Sequence, residues 1–188
     1  MKRSFILILF LLFLLSCGRE NNMIRVSGNL SNGEGQMIYL KEMTSLEMIT
    51  LDSVIIDTAG SFELTGPATG MKFFAIHTQP ESFIYLLAEN GDEIILSGDA
   101  MKLPYTYEVE GSDHSGLVHE LTREQNKTLA RIQTLSRIFN DSLRNPNFTE
   151  IKSRLDSAYE DIVNSQKEFT FNFIETRNFC IFYTIIPY

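Results

Sequence analysis

The hydrophobic pattern of this chain changes period at Gly111. Before that residue, short apolar–polar runs alternate with Gly, Pro, Asn and Asp clusters, as strands joined by turns do. After it, apolar residues recur at steps of three and four, which gathers them on one face of a helix. The expected class is therefore α+β. An N-terminal antiparallel β domain, sandwich-like or barrel-like, should occupy residues 23–110, and a long helical hairpin residues 111–176.

The strand signals come one after another. Ile24-Arg25-Val26-Ser27 alternates and runs into Gly28, and Gly33-Glu34-Gly35 turns the chain toward Met37–Leu40. Ile49–Ile56 is rich in β-branched residues. Asp57-Thr58-Ala59-Gly60 has turn chemistry and leads into Phe62–Thr65, which Gly66-Pro67 ends. Phe73–Ile76 and Phe83–Leu87 follow. Asn90-Gly91 lies between Phe83–Leu87 and Ile94–Leu96, and that dipeptide predicts a hairpin. Gly98-Asp99 closes this unit, and Tyr105–Val109 reads as a last strand. Seven or eight short strands at close spacing fit an antiparallel sandwich or barrel.

Two helical stripes follow. The first is Leu117, Leu121, Leu129, Ile132, Leu135, Phe139 and Leu143, stopped by Asn145-Pro146-Asn147. The second is Ile151, Leu155, Ala158, Tyr159, Ile162, Phe169 and Phe173, with Asn147 and Glu150 spaced as a capping box. Each stripe is about one face wide, so each helix needs a covering surface. The sheet, the other helix or a further domain can supply it. The ordinary role of such stripes is core packing.

The N-terminus has its own logic. Lys2 and Arg3 precede the unbroken apolar run Phe5–Leu15. That run is far short of the ~20 residues a spanning helix needs. Leu14-Leu15-Ser16-Cys17 resembles a bacterial lipoprotein signal, with a small residue directly before a cysteine. The resemblance implies that residues 1–16 are a signal peptide and that Cys17 carries lipid as the first mature residue. Residues 17–22 would then be a polar tether. The implied location is the cell envelope, anchored to the membrane through Cys17, facing the periplasm or the surface. Gly18 stands where an aspartate retains some lipoproteins at the inner membrane, which leaves the outer membrane open.

Removing the leader takes Lys2 and Arg3 and lowers the formal charge from −8 to −10. So acidic a chain repels phosphates, which argues against nucleic acid as a partner. An apolar content of 44% with 14 Phe argues for a packed core. With Cys17 committed to lipid, Cys180 is left alone, so neither a disulfide nor a C-x-x-C redox pair can form within the chain. Phe179 and Ile181 flank Cys180, an apolar setting that keeps a thiol inert.

Candidate chemical groups are few. Asp52, Asp57, Asp92 and Asp99 are the obvious carboxylates, but they lack the dense alternating oxygens of a calcium loop and suit turns instead. His77 sits in an apolar strand, and His114 and His119 are spaced wrongly to share a helix face. No serine lies in a Gly-x-Ser-x-Gly elbow, and no glycine-rich phosphate loop precedes a helix. No catalytic residue, metal, cofactor or small-molecule ligand is expected.

One larger pattern stands out. Gly28-Asn29-Leu30, Asp52-Ser53, Asp57–Phe62, Gly91-Asp92, Gly98-Asp99 and Gly111-Ser112 occur in an order that resembles a known family. It is similar to the N-terminal domain of unknown function in Bacteroidota lipoproteins of the TlpA/ResA-like thiol-disulfide oxidoreductases. The resemblance runs over roughly residues 23 to 175 and stops near Arg177, where the family's thioredoxin-like domain would begin. The apolar segment 177–188 stands in that place as the possible start of a truncated domain. The expectation is a lipid-anchored, non-catalytic accessory domain that contacts another envelope protein. The alternative is the front part of an oxidoreductase whose redox domain is lost or encoded downstream.

Overall fold

The computed structural model describes residues 22–80 and 82–177. The leader, Cys17, most of the tether, Cys180 and the segment from residue 178 lie outside the described residues.

Eight strands build two four-stranded sheets. They are β1 (Met23–Ser31), β2 (Met37–Met43), β3 (Met48–Ile55), β4 (Ser61–Pro67), β5 (Lys72–His77), β6 (Ile84–Ala88), β7 (Glu93–Asp99) and β8 (Glu108–Glu110). One sheet runs β4-β1-β7-β8 and the other β3-β2-β5-β6. Alternation decides which side chains meet. Ile24, Val26, Leu64, Ile94 and Leu96 of the first sheet face Ile38, Leu40, Phe74, Ile76 and Leu86 of the second. All ten are fully buried in one core. Burying side chains of this size stabilises by roughly 1.5–3 kcal/mol each before chain entropy is counted. The arrangement is sandwich-like, with two separate sheets rather than the closed barrel also expected.

Three strand-level expectations need correction. First, the sheets are not wholly antiparallel: β1 and β7 pair in parallel, with Val26 opposite Ile94 and Gly28 opposite Leu96. Second, Asn90-Gly91 does turn the chain, but β6 and β7 belong to different sheets. Gly91 supplies φ 89°, and the Asp92 N–H donates to the Glu89 carbonyl at 3.1 Å. Strand β1 then captures the turn: the Gly91 N–H donates to the Met23 carbonyl and the Arg25 N–H to the Asp92 carbonyl, both at 3.0 Å. A local turn signal specifies the reversal and leaves the partner to long-range packing.

Third, Tyr105–Val109 is not one strand. A 3₁₀ turn at Ala100–Lys102 runs into a short helix, α1 (Leu103–Thr106), before β8. Pro104 sits in its first turn, where a fixed φ favours a helical start. The Thr106 hydroxyl donates to the Lys102 carbonyl at 3.1 Å and accepts from the Asp99 N–H at 3.0 Å, which folds this segment back.

Two long helices follow, α2 (Asp113–Ser142) and α3 (Phe148–Thr176). Ser112 caps α2, its hydroxyl accepting from the Ser115 N–H. The first turns of α2 lie across β6 and β8, and α3 runs back along α2. The expected capping box on α3 is absent: the Asn147 side chain makes no capping bond, and Asn145 Oδ1 instead accepts from the Asn147 N–H at 2.9 Å. The stripes are also less buried than core packing predicts. Ile162 and Phe173 are buried, whereas Leu129, Leu143 and Tyr159 are about half exposed. Two helices alone cannot cover both sides of their own seam. No helix among the described residues is long and apolar enough to cross a membrane.

Candidate functional site

The four predicted carboxylates are occupied by the fold. Asp52 Oδ2 accepts from the Thr65 N–H at 2.8 Å and so ties β3 to β4. Asp57 Oδ1 accepts from the Ala59 and Ser61 N–H groups, each at 2.8 Å. Asp92 Oδ2 accepts from the Ser112 hydroxyl at 2.9 Å. Asp99 Oδ1 accepts from the Met101 N–H at 2.9 Å, and its Oδ2 accepts from Asn32 Nδ2 at 3.0 Å. These are turn and cap bonds, the usual work of aspartate outside active sites. Among the described residues no group of three or more His, Cys, Asp or Glu side chains could hold a metal.

The three histidines occupy three different settings. His77, on β5, stacks on Tyr39 at 4.8 Å and meets Phe83 at 4.6 Å. Its Nδ1 lies 3.2 Å from the Gln79 carbonyl. A carbonyl only accepts, so this contact places the proton on Nδ1. Nε2 is then a buried lone pair without a hydrogen-bond partner. Burial, followed by the nearby Lys41 ammonium, pushes His77 below the usual histidine range.

His119 lies on α2, where it packs on Tyr107 at 4.4 Å. Its Nδ1 is 3.8 Å from Glu108 Oε2, an ion-pair separation and too long for a hydrogen bond. Burial pushes His119 down; Glu108 opposes this and Arg123 adds to it. Tyr107 is itself pushed up to about 12, chiefly by burial. These groups border a cleft of about 340 Å³, with Arg123 and Lys127 at its rim. Tyr107 enters only because α1 turns the chain back beneath α2, a placement that no local signal in the sequence carries.

His114 lines a separate, wider cleft of about 970 Å³ with Asp92, Ser112, Glu120 and Arg177. Arg177 Nη2 donates to Glu120 at 3.1 Å, pinning the end of α3 to the start of α2. Glu89, Glu110 and Asp113 make the cleft predominantly acidic, so it repels anions. His114 and His119 thus serve different clefts, consistent with their spacing. In the wider cleft the Ser112 hydroxyl donates to Asp92 Oδ2, but the same hydroxyl accepts from the Ser115 N–H as the cap of α2, which ties the pair to holding the helix start.

The fold defines the class first: a two-sheet domain whose outer face carries the start of a helical hairpin. Residues 24–115 match the family model described as a domain of unknown function, DUF4369, so the chain carries a DUF4369 domain. The match begins in β1 and ends at Ser115, where α2 first touches the sheet, and it leaves most of the hairpin outside. A search of curated proteins finds no match. Among solved structures, the chain is similar to (S)-allantoin synthase at 9% identity and a TM-score of 0.33, covering 55% of this chain and 49% of that one. It is also similar to a 9R-lipoxygenase from Cyanothece at 10% identity and a TM-score of 0.24, covering 70% of this chain and 26% of that one. Both likenesses are too low to carry over fold or chemistry.

Proposed function

We propose that this is a lipid-anchored protein of the cell envelope whose domains do no chemistry themselves and act by holding or contacting another envelope protein. The observation that carries the reading is Leu14-Leu15-Ser16-Cys17 after a charged start and an apolar run. A DUF4369 domain with its aspartates committed to turns agrees with a positioning role. Attachment would run through lipid on Cys17, and stable anchoring there would take more than one acyl chain, because a single chain binds membranes only weakly.

The test is Cys17→Ser in cells fed a labelled fatty acid. The expected outcome is loss of label and retention of the uncleaved form. Undiminished labelling of the variant would overturn the anchor.

A second reading rests on the ordered pattern from Gly28 to Ser112. It is the pattern of the N-terminal domain of TlpA/ResA-like oxidoreductases, and the DUF4369 match lies within the same residues. In that reading the dithiol belongs to a segment encoded beyond codon 188. Translating the DNA downstream in all three frames decides it: a nearby C-x-x-C in a thioredoxin-like stretch favours this reading, and its absence favours the accessory role.

A further inference from the structure

The open side of the helical hairpin is an apolar groove with a charge pattern that matches itself. Toward the tip, Ile138, Ile151, Leu155 and Ala158 line a trough of about 550 Å³. It continues through Ala158 into a second trough of about 360 Å³ floored by Leu135 and Ile162. Ile138 is 42% exposed although it points into this trough. Among the described residues the groove therefore lacks a cover.

Four exposed charges border it. Arg131 and Asp141 lie on α2, and Arg154 and Asp161 on α3. None of the four makes an ion pair among the described residues. The midpoint of the α2 pair is Ser136, and that of the α3 pair falls between Ser157 and Ala158. The Thr128 hydroxyl donates to Gln166 Oε1 across the seam, which sets the level of the helices. Eight residues from each toward the tip, ~12 Å at 1.5 Å per residue, Ser136 stands level with Ala158. The two charge midpoints coincide.

We propose that the hairpin packs groove to groove on a second copy of this chain, forming an antiparallel four-helix bundle. One two-fold axis, crossing both helices at the level of Ser136 and Ala158, sets Arg131 against Asp141 of the second copy and Arg154 against its Asp161. Each pair then occurs twice, as an isologous interface requires. The same operation separates the β domains. His119, where α2 lies on the sheet, is ~25 Å along the helix from the axis, whereas the tip at Ser142 is only ~9 Å from it. A two-fold parallel to the helices would pair the same charges but set both β domains side by side at one end. The antiparallel pairing is the one that leaves them clear of each other.

The test uses the full chain with Cys17→Ser and Cys180→Ser in a mild non-ionic detergent, so that no native thiol can crosslink. Sedimentation should give twice the protomer mass. Ala158 lies in the groove beside the axis, so Ala158→Cys should crosslink to itself under mild oxidation. Arg131→Asp should raise the dimer dissociation constant at least tenfold, and adding Asp141→Arg should restore it, a rescue that a misfolded variant cannot show. A monomer at all concentrations, a dimer without the Ala158→Cys crosslink, a dimer indifferent to the charge reversal, or a covalent product with a different protein overturns the proposal. The outcome does not depend on whether Cys17 carries lipid.

Discussion

Gly28 lies against the Leu96 carbonyl so closely that a Cβ at residue 28 would stand 1.7 Å from its oxygen. The two residues face each other across the parallel β1–β7 pair. The contact is with backbone, which cannot rotate away as a side chain can. Gly28→Ala must therefore separate the central strands of this sheet, and we expect a loss on the order of 3 kcal/mol or more. The chain has no Trp, so urea unfolding followed by far-UV circular dichroism is the appropriate measurement. A midpoint unchanged from the parent would contradict the parallel pairing.

The Asp57–Gly60 turn docks on the same strand. Gly60 adopts φ 82°, and its carbonyl accepts from the Leu30 N–H at 2.8 Å. Asp57 Oδ1 holds the turn shut through two backbone N–H groups. Asp57→Ala removes both bonds and should cost about 1–2 kcal/mol, whereas Asp57→Asn keeps an acceptor oxygen and should lose less. Comparing the unfolding midpoints of the two variants separates a turn aspartate from a chemical one: a site role would make Asn as damaging as Ala to whatever is measured.

Ser115 joins the helical hairpin to the β domain. Its buried hydroxyl donates to the Leu87 carbonyl on β6 at 2.9 Å. Ser115→Ala strands that carbonyl in a place water does not reach and should cost about 1–3 kcal/mol. The loss should appear first as faster amide exchange at the start of α2, because this bond fixes the helix to the sheet. Uniform protection along α2 in the variant would mean that other contacts, such as the Ser112–Asp92 bond and apolar packing, hold the helix start.

The legible parts of this fold are those that a short window of sequence determines. The inward positions of β1, β4 and β7 alternate cleanly, and Gly28, Asp57 and Gly60 mark places where the backbone has little choice. The sheet that each strand joins was not legible. Asn90-Gly91 specifies a reversal, but burial of Leu87 beneath α2 draws β6 into one sheet while β1 takes β7 into the other. Pro104 carried a local helix-start signal that the alternation of Tyr105–Val109 masked. The cluster of Tyr107, Glu108 and His119 had no signal, because it exists only after β8 and α2 have packed. The groove between α2 and α3 was half legible: the stripes demanded a cover, and only the seam geometry shows which side stays open.

The buried histidines set the pH dependence. His77 and His119 both hold their protons less tightly in the fold than in the unfolded chain, mainly because burial penalises the charged imidazole. Below about 6.5, the usual histidine value, the unfolded chain binds protons that the folded chain refuses. Stability then rises with pH across the window from the lowered values up to about 6.5, and it is lost as the solution is acidified through that window. Tyr107 works at the other end. Ionisation favours the unfolded chain as pH rises from 10.0 toward about 12. Urea midpoints should therefore be flat near pH 7 to 8 and fall on acidification to pH 5.5, before most carboxylates titrate. His119→Phe and His77→Phe should each make that fall shallower. If both variants keep the parent's slope, the acid sensitivity comes from other groups and the histidines are not held neutral by burial.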